Sequence, residues 1–86
     1  MLESELERRF VEYVKAHGGI AYKWTSPGRR GVPDRIVVLP GHVLFVELKT
    51  ETGQLTPWQI REHQRLMALG HTVLVIRRES EFVCVL

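Results

Sequence analysis

The chain has 86 residues, 44% of them hydrophobic and 26% charged, with a formal net charge of +2. That length holds one globular domain, residues 1–86, and no separate regulatory module. A single cysteine, Cys84, excludes a disulfide-stapled scaffold, and apolar runs of about five residues are too short to span a membrane.

The N-terminus, Met1-Leu2-Glu3-Ser4-Glu5, is acidic and polar, unlike a signal peptide. Residues 4–17 read as a helix. Leu6, Phe10, Val11, Tyr13 and Val14 recur at spacings of three and four, and Gly18-Gly19 stops it. Residues 20–25 read as a short strand. Prolines and glycines break 26–33 into a loop. Residues 34–39 and 42–50 read as a hairpin about Pro40-Gly41. Thr56-Pro57 opens a second helix that runs to about Leu69, where Gly70 stops it. Residues 72–76 are an apolar β-branched strand, and 81–86 are a candidate last strand that would bury Cys84. The order α-β-β-β-α-β predicts an α/β fold with a small mixed sheet flanked by helices.

The excess positive charge is concentrated in residues 26–50, which hold four basic and two acidic side chains. The hairpin carries the specific chemistry. If Leu39 pairs with His42, Asp34 falls opposite Glu47, at about 5 Å. Lys49 lies on the same face, one pleat beyond Glu47. Ile36, Val38, Val43 and Phe45 make the rest of that face apolar. Two close carboxylates repel unless a cation sits between them, and oxygen ligands favour a hard ion such as magnesium or manganese. Such an ion polarises a phosphoryl oxygen and lowers the pKa of a bound water, and a neighbouring lysine stabilises developing charge. The set suits phosphodiester hydrolysis. Taken alone, Glu-x-Lys reads first as a solvated strand end, and the preceding Gly-x-Pro-Asp and the hairpin length reverse that.

Gly31-Val32-Pro33-Asp34 followed by Glu47-Leu48-Lys49 resembles the active-site pattern of the PD-(D/E)xK nuclease superfamily, and within it the VRR-NUC domain. The similarity spans nearly the whole chain. It includes an acidic first helix, Gly18-Gly19, Lys23 on a strand, Ser26-Pro27-Gly28, Val-Glu-Leu-Lys and a glutamine opening the next helix. The resemblance implies a restriction-endonuclease-like core and a Mg2+- or Mn2+-dependent deoxyribonuclease. It further implies a homodimer acting on branched DNA, in the manner of a Holliday-junction resolvase, with no small-molecule cofactor and no membrane. A phage or bacterial protein of this kind is expected in the cytoplasm of the bacterial or infected cell. A flap nuclease, an exonuclease, a restriction-like enzyme or a catalytically silent DNA-binding protein on the same scaffold are the alternatives.

By the same resemblance, Asp34, Glu47 and the backbone carbonyl of Leu48 are metal ligands, and Lys49 is catalytic. The first helix supplies a further catalytic glutamate that joins the metal ligands, Glu7 ahead of Glu3. Glu7 reads alternatively as the end of a Ser4-x-x-Glu7 capping box. Gln59 matches the family's glutamine, and Thr56-x-x-Gln59 also reads as a capping box. Lys23, Arg29, Arg30 and Arg35 flank the acids and are candidate DNA contacts, with solvated loop or surface positions as the alternative. His17, His42, His63 and His71 show no metal-ligand spacing and are assigned no role. Trp24 and Trp58 read as core residues ahead of base-stacking ones. Met67, Phe82 and Val83 mark a candidate dimer surface.

Overall fold

A computed structural model describes residues 1–86. The elements run α1 (Glu3–Ala16), β1 (Ile20–Lys23), β2 (Arg35–Leu39), β3 (His42–Leu48), α2 (Pro57–Ala68), β4 (Val73–Ile76) and a 3-10 helix (Glu79–Val85). The four strands form one sheet in the order β1-β2-β3-β4. The β1–β2 and β2–β3 pairs are antiparallel, and β3–β4 is parallel. α2 is thus the crossover of a β-α-β unit, the connection a parallel pair requires. The expected mixed sheet flanked by helices is what forms.

The hairpin has the register expected from its turn, with Leu39 opposite His42. Gly41 makes that turn at φ +83°, a left-handed conformation glycine adopts without steric cost. The alternation then sends Val37, Leu39, Leu44, Val46 and Leu48 to one face, where all are buried. α1 covers this face with Leu6, Phe10 and Val14, spaced by four along the helix. Phe82 closes the core edge-on against Phe10, with ring centroids 5.2 Å apart.

The C-terminal segment corrects the sequence reading. Residues 79–85 form a 3-10 helix and no strand. Glu81 Oε1 accepts the N–H groups of Arg77 and Arg78 at 2.7 and 3.1 Å, which starts the turn. A period of three then places Phe82 and Val85 on one buried face. Cys84, expected to be buried, is exposed for the same reason.

The second sheet face is only partly covered. Ile20, Tyr22, Val38 and Val43, neighbours across β1, β2 and β3, are exposed there. α2 lies over the far end of this face, and its orientation is unusual. Its buried residues are Glu62 and His63, while Trp58, Ile60 and Met67 face solvent. A helix that turns polar groups inward loses hydration on that side and gains little apolar burial, here only the half-buried Leu66. Such a departure from ordinary patterning marks the end of the sheet that α2 covers. No helix is long and apolar enough to cross a membrane.

Candidate active site

Asp34 stands one residue before β2, where the β2–β3 register continues to a position opposite Glu47. Its Oδ2 accepts the Leu48 N–H at 2.9 Å, which ties the aspartate to the end of β3. Glu47 is 2% exposed. Burial pushes its carboxyl above the ordinary value of 4.5; His63 works against the push, and Asp34 adds to it.

The first turns of α2 cover Glu47 from above. Thr56 caps the helix by accepting the Gln59 N–H at 3.1 Å, and Gln59 Oε1 in turn accepts the Thr56 N–H at 2.9 Å. The other end of the same amide, Nε2, donates to Glu47 Oε2 at 3.3 Å. Gln59 therefore both caps the helix and holds the acid. One turn further on, His63 is 4% exposed and sets Nε2 3.4 Å from Glu47 Oε1. Neither of these two atoms has a hydrogen-bond partner.

Lys49 follows Leu48 and continues the ladder by donating its N–H to the Ile76 carbonyl at 3.0 Å. Alternation sets its side chain on the Glu47 side of the sheet. Lys49 takes part in none of the chain's ion pairs. The loop beyond it is held by Arg77, whose guanidinium donates to the Thr50 carbonyl at 2.9 Å and to the Gly53 carbonyl.

These residues fit a hard divalent cation. Glu47 Oε1 is a buried carboxylate oxygen with no hydrogen bond, beside a second carboxylate, which is the environment a cation relieves. No group of three or more His, Cys, Asp or Glu side chains is arranged to hold a metal ion. A cation held here would therefore take two carboxylates, with backbone oxygen and water completing its shell, as magnesium commonly does.

Other candidates are bound to partners outside this pair. The N-cap of α1 is Leu2, with no side-chain cap, so the Ser4–Glu7 capping box does not form. Glu7 Oε2 instead accepts Lys23 Nζ at 3.0 Å and Arg35 Nε at 2.9 Å. Arg35 also donates to the Ala21 carbonyl at 3.1 Å and is bound between α1 and β1. Glu3 is exposed on the first turn. Arg29 reaches Glu62 at 3.5 Å, and Arg30 lies over the Trp58 ring, 5.3 Å from its centroid.

The loop that carries Arg29 and Arg30 is locked to α2 at Gly31. A Cβ there would lie 2.3 Å from the Trp58 carbonyl oxygen, and the residue sits at φ +83°. Only glycine permits both the conformation and the close approach.

No family-wide sequence profile matches the chain. It is 56% identical over 75 residues to “Putative nuclease p44” of Acyrthosiphon pisum secondary endosymbiont phage 1, covering 86% of this chain and 81% of that protein. Its structure matches a solved VRR-NUC domain with a TM-score of 0.89 and 34% identity, over 96% of this chain and 91% of that one. The chain belongs to the VRR-NUC family. It has that family's nuclease fold.

Against the sequence reading of this VRR-NUC chain, the structure adds two residues and moves one. His63 is brought against Glu47, although its sequence gave it no role. Its spacing of four from Gln59 was the available signal, since both then share a helix face. Arg77 holds the loop after Lys49 from 27 and 24 residues away, and no local pattern announces it. Trp58 leaves the core. It is 48% exposed, while Trp24 packs on Phe45 with centroids 5.3 Å apart.

Proposed function

We propose that this VRR-NUC nuclease is a divalent-metal-dependent, structure-selective DNA endonuclease that hydrolyses phosphodiester bonds, with Holliday-junction-like branched DNA as substrate. One observation carries the reading: a buried Glu47 beside a partly buried Asp34, in which Glu47 Oε1 has no hydrogen bond, at the strand end that leads into Lys49. Asp34, Glu47 and the Leu48 carbonyl are the ligands of Mg2+ or Mn2+. When bound, that ion supplies Lewis acidity toward a phosphoryl oxygen and a more acidic water. Gln59 and His63 orient Glu47. Lys49, with no carboxylate partner, is available to the attacking water or to charge developing on the phosphate. Glu7 holds Lys23 and Arg35 at the flank of the site. Lys23, Arg29 and Arg30 contact the DNA backbone, and Arg35 supports them from below.

Residues 1–86 act as one nuclease unit, in the bacterial or phage-infected cytoplasm, and pair as a homodimer. Symmetric cutting of two strands needs two sites, which a two-fold dimer supplies. The exposed apolar group Ile20, Tyr22, Val38 and Val43 supports a pairing surface on the open sheet face. Of the surface suggested by sequence, Met67 and Val83 are exposed, but Phe82 is buried in the core.

The test is nicking of supercoiled plasmid with magnesium, manganese or chelator, followed by a panel of four-way, flap, splayed and linear substrates. Metal-dependent cutting with preference for the four-way junction is expected. Cutting in excess chelator would overturn the metal assignment, and equal rates on linear and branched DNA would overturn structure selectivity.

A further inference from the structure

Trp58, Arg30 and Arg61 form a second constellation, outside the acidic pair. Trp58 is 48% exposed on a helix whose inward positions are polar. The Arg30 guanidinium lies 5.3 Å from its ring centroid and that of Arg61 lies at 5.2 Å. Neither arginine has a carboxylate partner. Arg29 and Arg65 adjoin them and share one carboxylate, Glu62, at 3.5 and 3.8 Å. The result is an open cleft of about 420 Å³ with four arginines, one glutamate and one aromatic ring. Its charge excess calls for a polyanion, whose phosphates draw Arg30 and Arg61 off the ring and open its π-face to a base.

The position of the cleft matters as much as its content. Trp58 precedes Gln59, the residue that holds Glu47, and consecutive Cα atoms are about 3.8 Å apart. The cleft and the acidic pair thus share the first turns of α2: Trp58 and Glu62 line the cleft, and their chain neighbours Gln59 and His63 contact Glu47. Within an intact duplex every base face is already stacked. Only an unpaired, splayed or frayed base has a free face to offer.

We propose that Trp58, flanked by Arg30 and Arg61, is a stacking platform for an unpaired base next to the scissile phosphate. This rests on the DNA-nuclease reading above and narrows its substrate class to DNA with a single-stranded or opened element at the cut. The arginines bind the adjacent phosphates and Trp58 binds the base. Paired DNA offers the arginines the same phosphates but leaves the ring idle.

The experiment uses Trp24→Phe protein, in which Trp58 is the remaining tryptophan, in metal-free buffer. Oligo-dT and a blunt duplex of equal length are titrated while fluorescence is read. Oligo-dT is expected to quench Trp58 and the duplex to leave it nearly unchanged. Trp58→Ala is expected to weaken oligo-dT binding about tenfold, within the range for loss of one base–aromatic stack, and to narrow the gap between oligo-dT and duplex. Trp58→Phe, which keeps a ring, is expected to restore most of the loss. Binding of oligo-dT without quenching would overturn the platform. Equal losses for oligo-dT and duplex in Trp58→Ala would overturn it too. Plasmid nicking by the wild-type protein reports on the nuclease reading separately. Nicking without quenching sinks the platform alone, and quenching without nicking leaves the platform standing.

Discussion

Glu47 Oε1 and His63 Nε2 face each other across 3.4 Å, both buried and neither engaged in a hydrogen bond. A buried pair with unsatisfied atoms costs stability, and natural folds retain such groups chiefly where they act. Four expected outcomes follow from this arrangement and its surroundings.

Glu47→Gln is expected to abolish cleavage and to stabilise the metal-free protein. The folded carboxyl is raised above 4.5, so its contribution to stability is intact below the unfolded value and is lost as pH rises through the folded one. The melting-temperature gap between variant and wild type should therefore open as pH rises above about 4.3, measured in chelator. At neutral pH, where the wild-type carboxylate is charged and buried, the variant is expected to melt at the higher temperature. A variant less stable than wild type at neutral pH would show that the glutamate is held by more than it costs.

His63→Ala is expected to lower cleavage by about 10–100-fold, the usual cost of removing a group that orients a metal-binding side chain. Magnesium titration by calorimetry should show weaker binding in the same variant. Full activity would make the 3.4 Å approach to Glu47 an idle contact.

Lys49→Ala should leave melting temperature and metal affinity nearly unchanged, since its side chain forms no ion pair. Turnover should fall by about 10²–10³, as for loss of a group that stabilises transition-state charge. Single-turnover rates at saturating metal measure this. A fall in metal affinity with unaltered turnover would assign Lys49 to the fold.

Gly31→Ala and Gly41→Ala separate two costs. Both glycines sit at φ +83°, but a Cβ on Gly41 meets nothing within 4 Å, whereas one on Gly31 meets the Trp58 carbonyl oxygen at 2.3 Å. Gly41→Ala should cost about 1–2 kcal/mol from backbone conformation alone. Gly31→Ala should cost more and also reduce DNA binding, because the Arg29–Arg30 loop must lift off α2. Denaturant melts and gel-shift titrations check both. Equal costs would mean that the loop yields freely.

The hairpin was legible in the sequence because a two-residue turn fixes register, and register fixes which acids meet. Asp34 opposite Glu47 needed nothing more than Pro40-Gly41 and strict alternation. The orientation of α2 was not legible. Trp58 reads from sequence as a core residue, and only tertiary contact with Glu47 turns Gln59 and His63 inward. The last segment misled for a related reason. Phe82-Val83-Cys84-Val85 has strand-like composition, but the carboxylate of Glu81 captures two backbone N–H groups and winds it. Glu7 showed the reverse: its local capping pattern was present in sequence, and Lys23 and Arg35 from other elements claimed the side chain.

The parallel pairing of β3 with β4 gives the chain an order of assembly. The β2–β3 hairpin closes through a two-residue turn, whereas Phe45 meets Val73 only after α2 has been laid between them. Local pairings form early and distant ones late. The hairpin alone brings Asp34 and Glu47 together, but Gln59 and His63 reach Glu47 only with the late crossover. Competence to cut is therefore expected to return with the slow step of refolding, so that a partly folded chain is a harmless one.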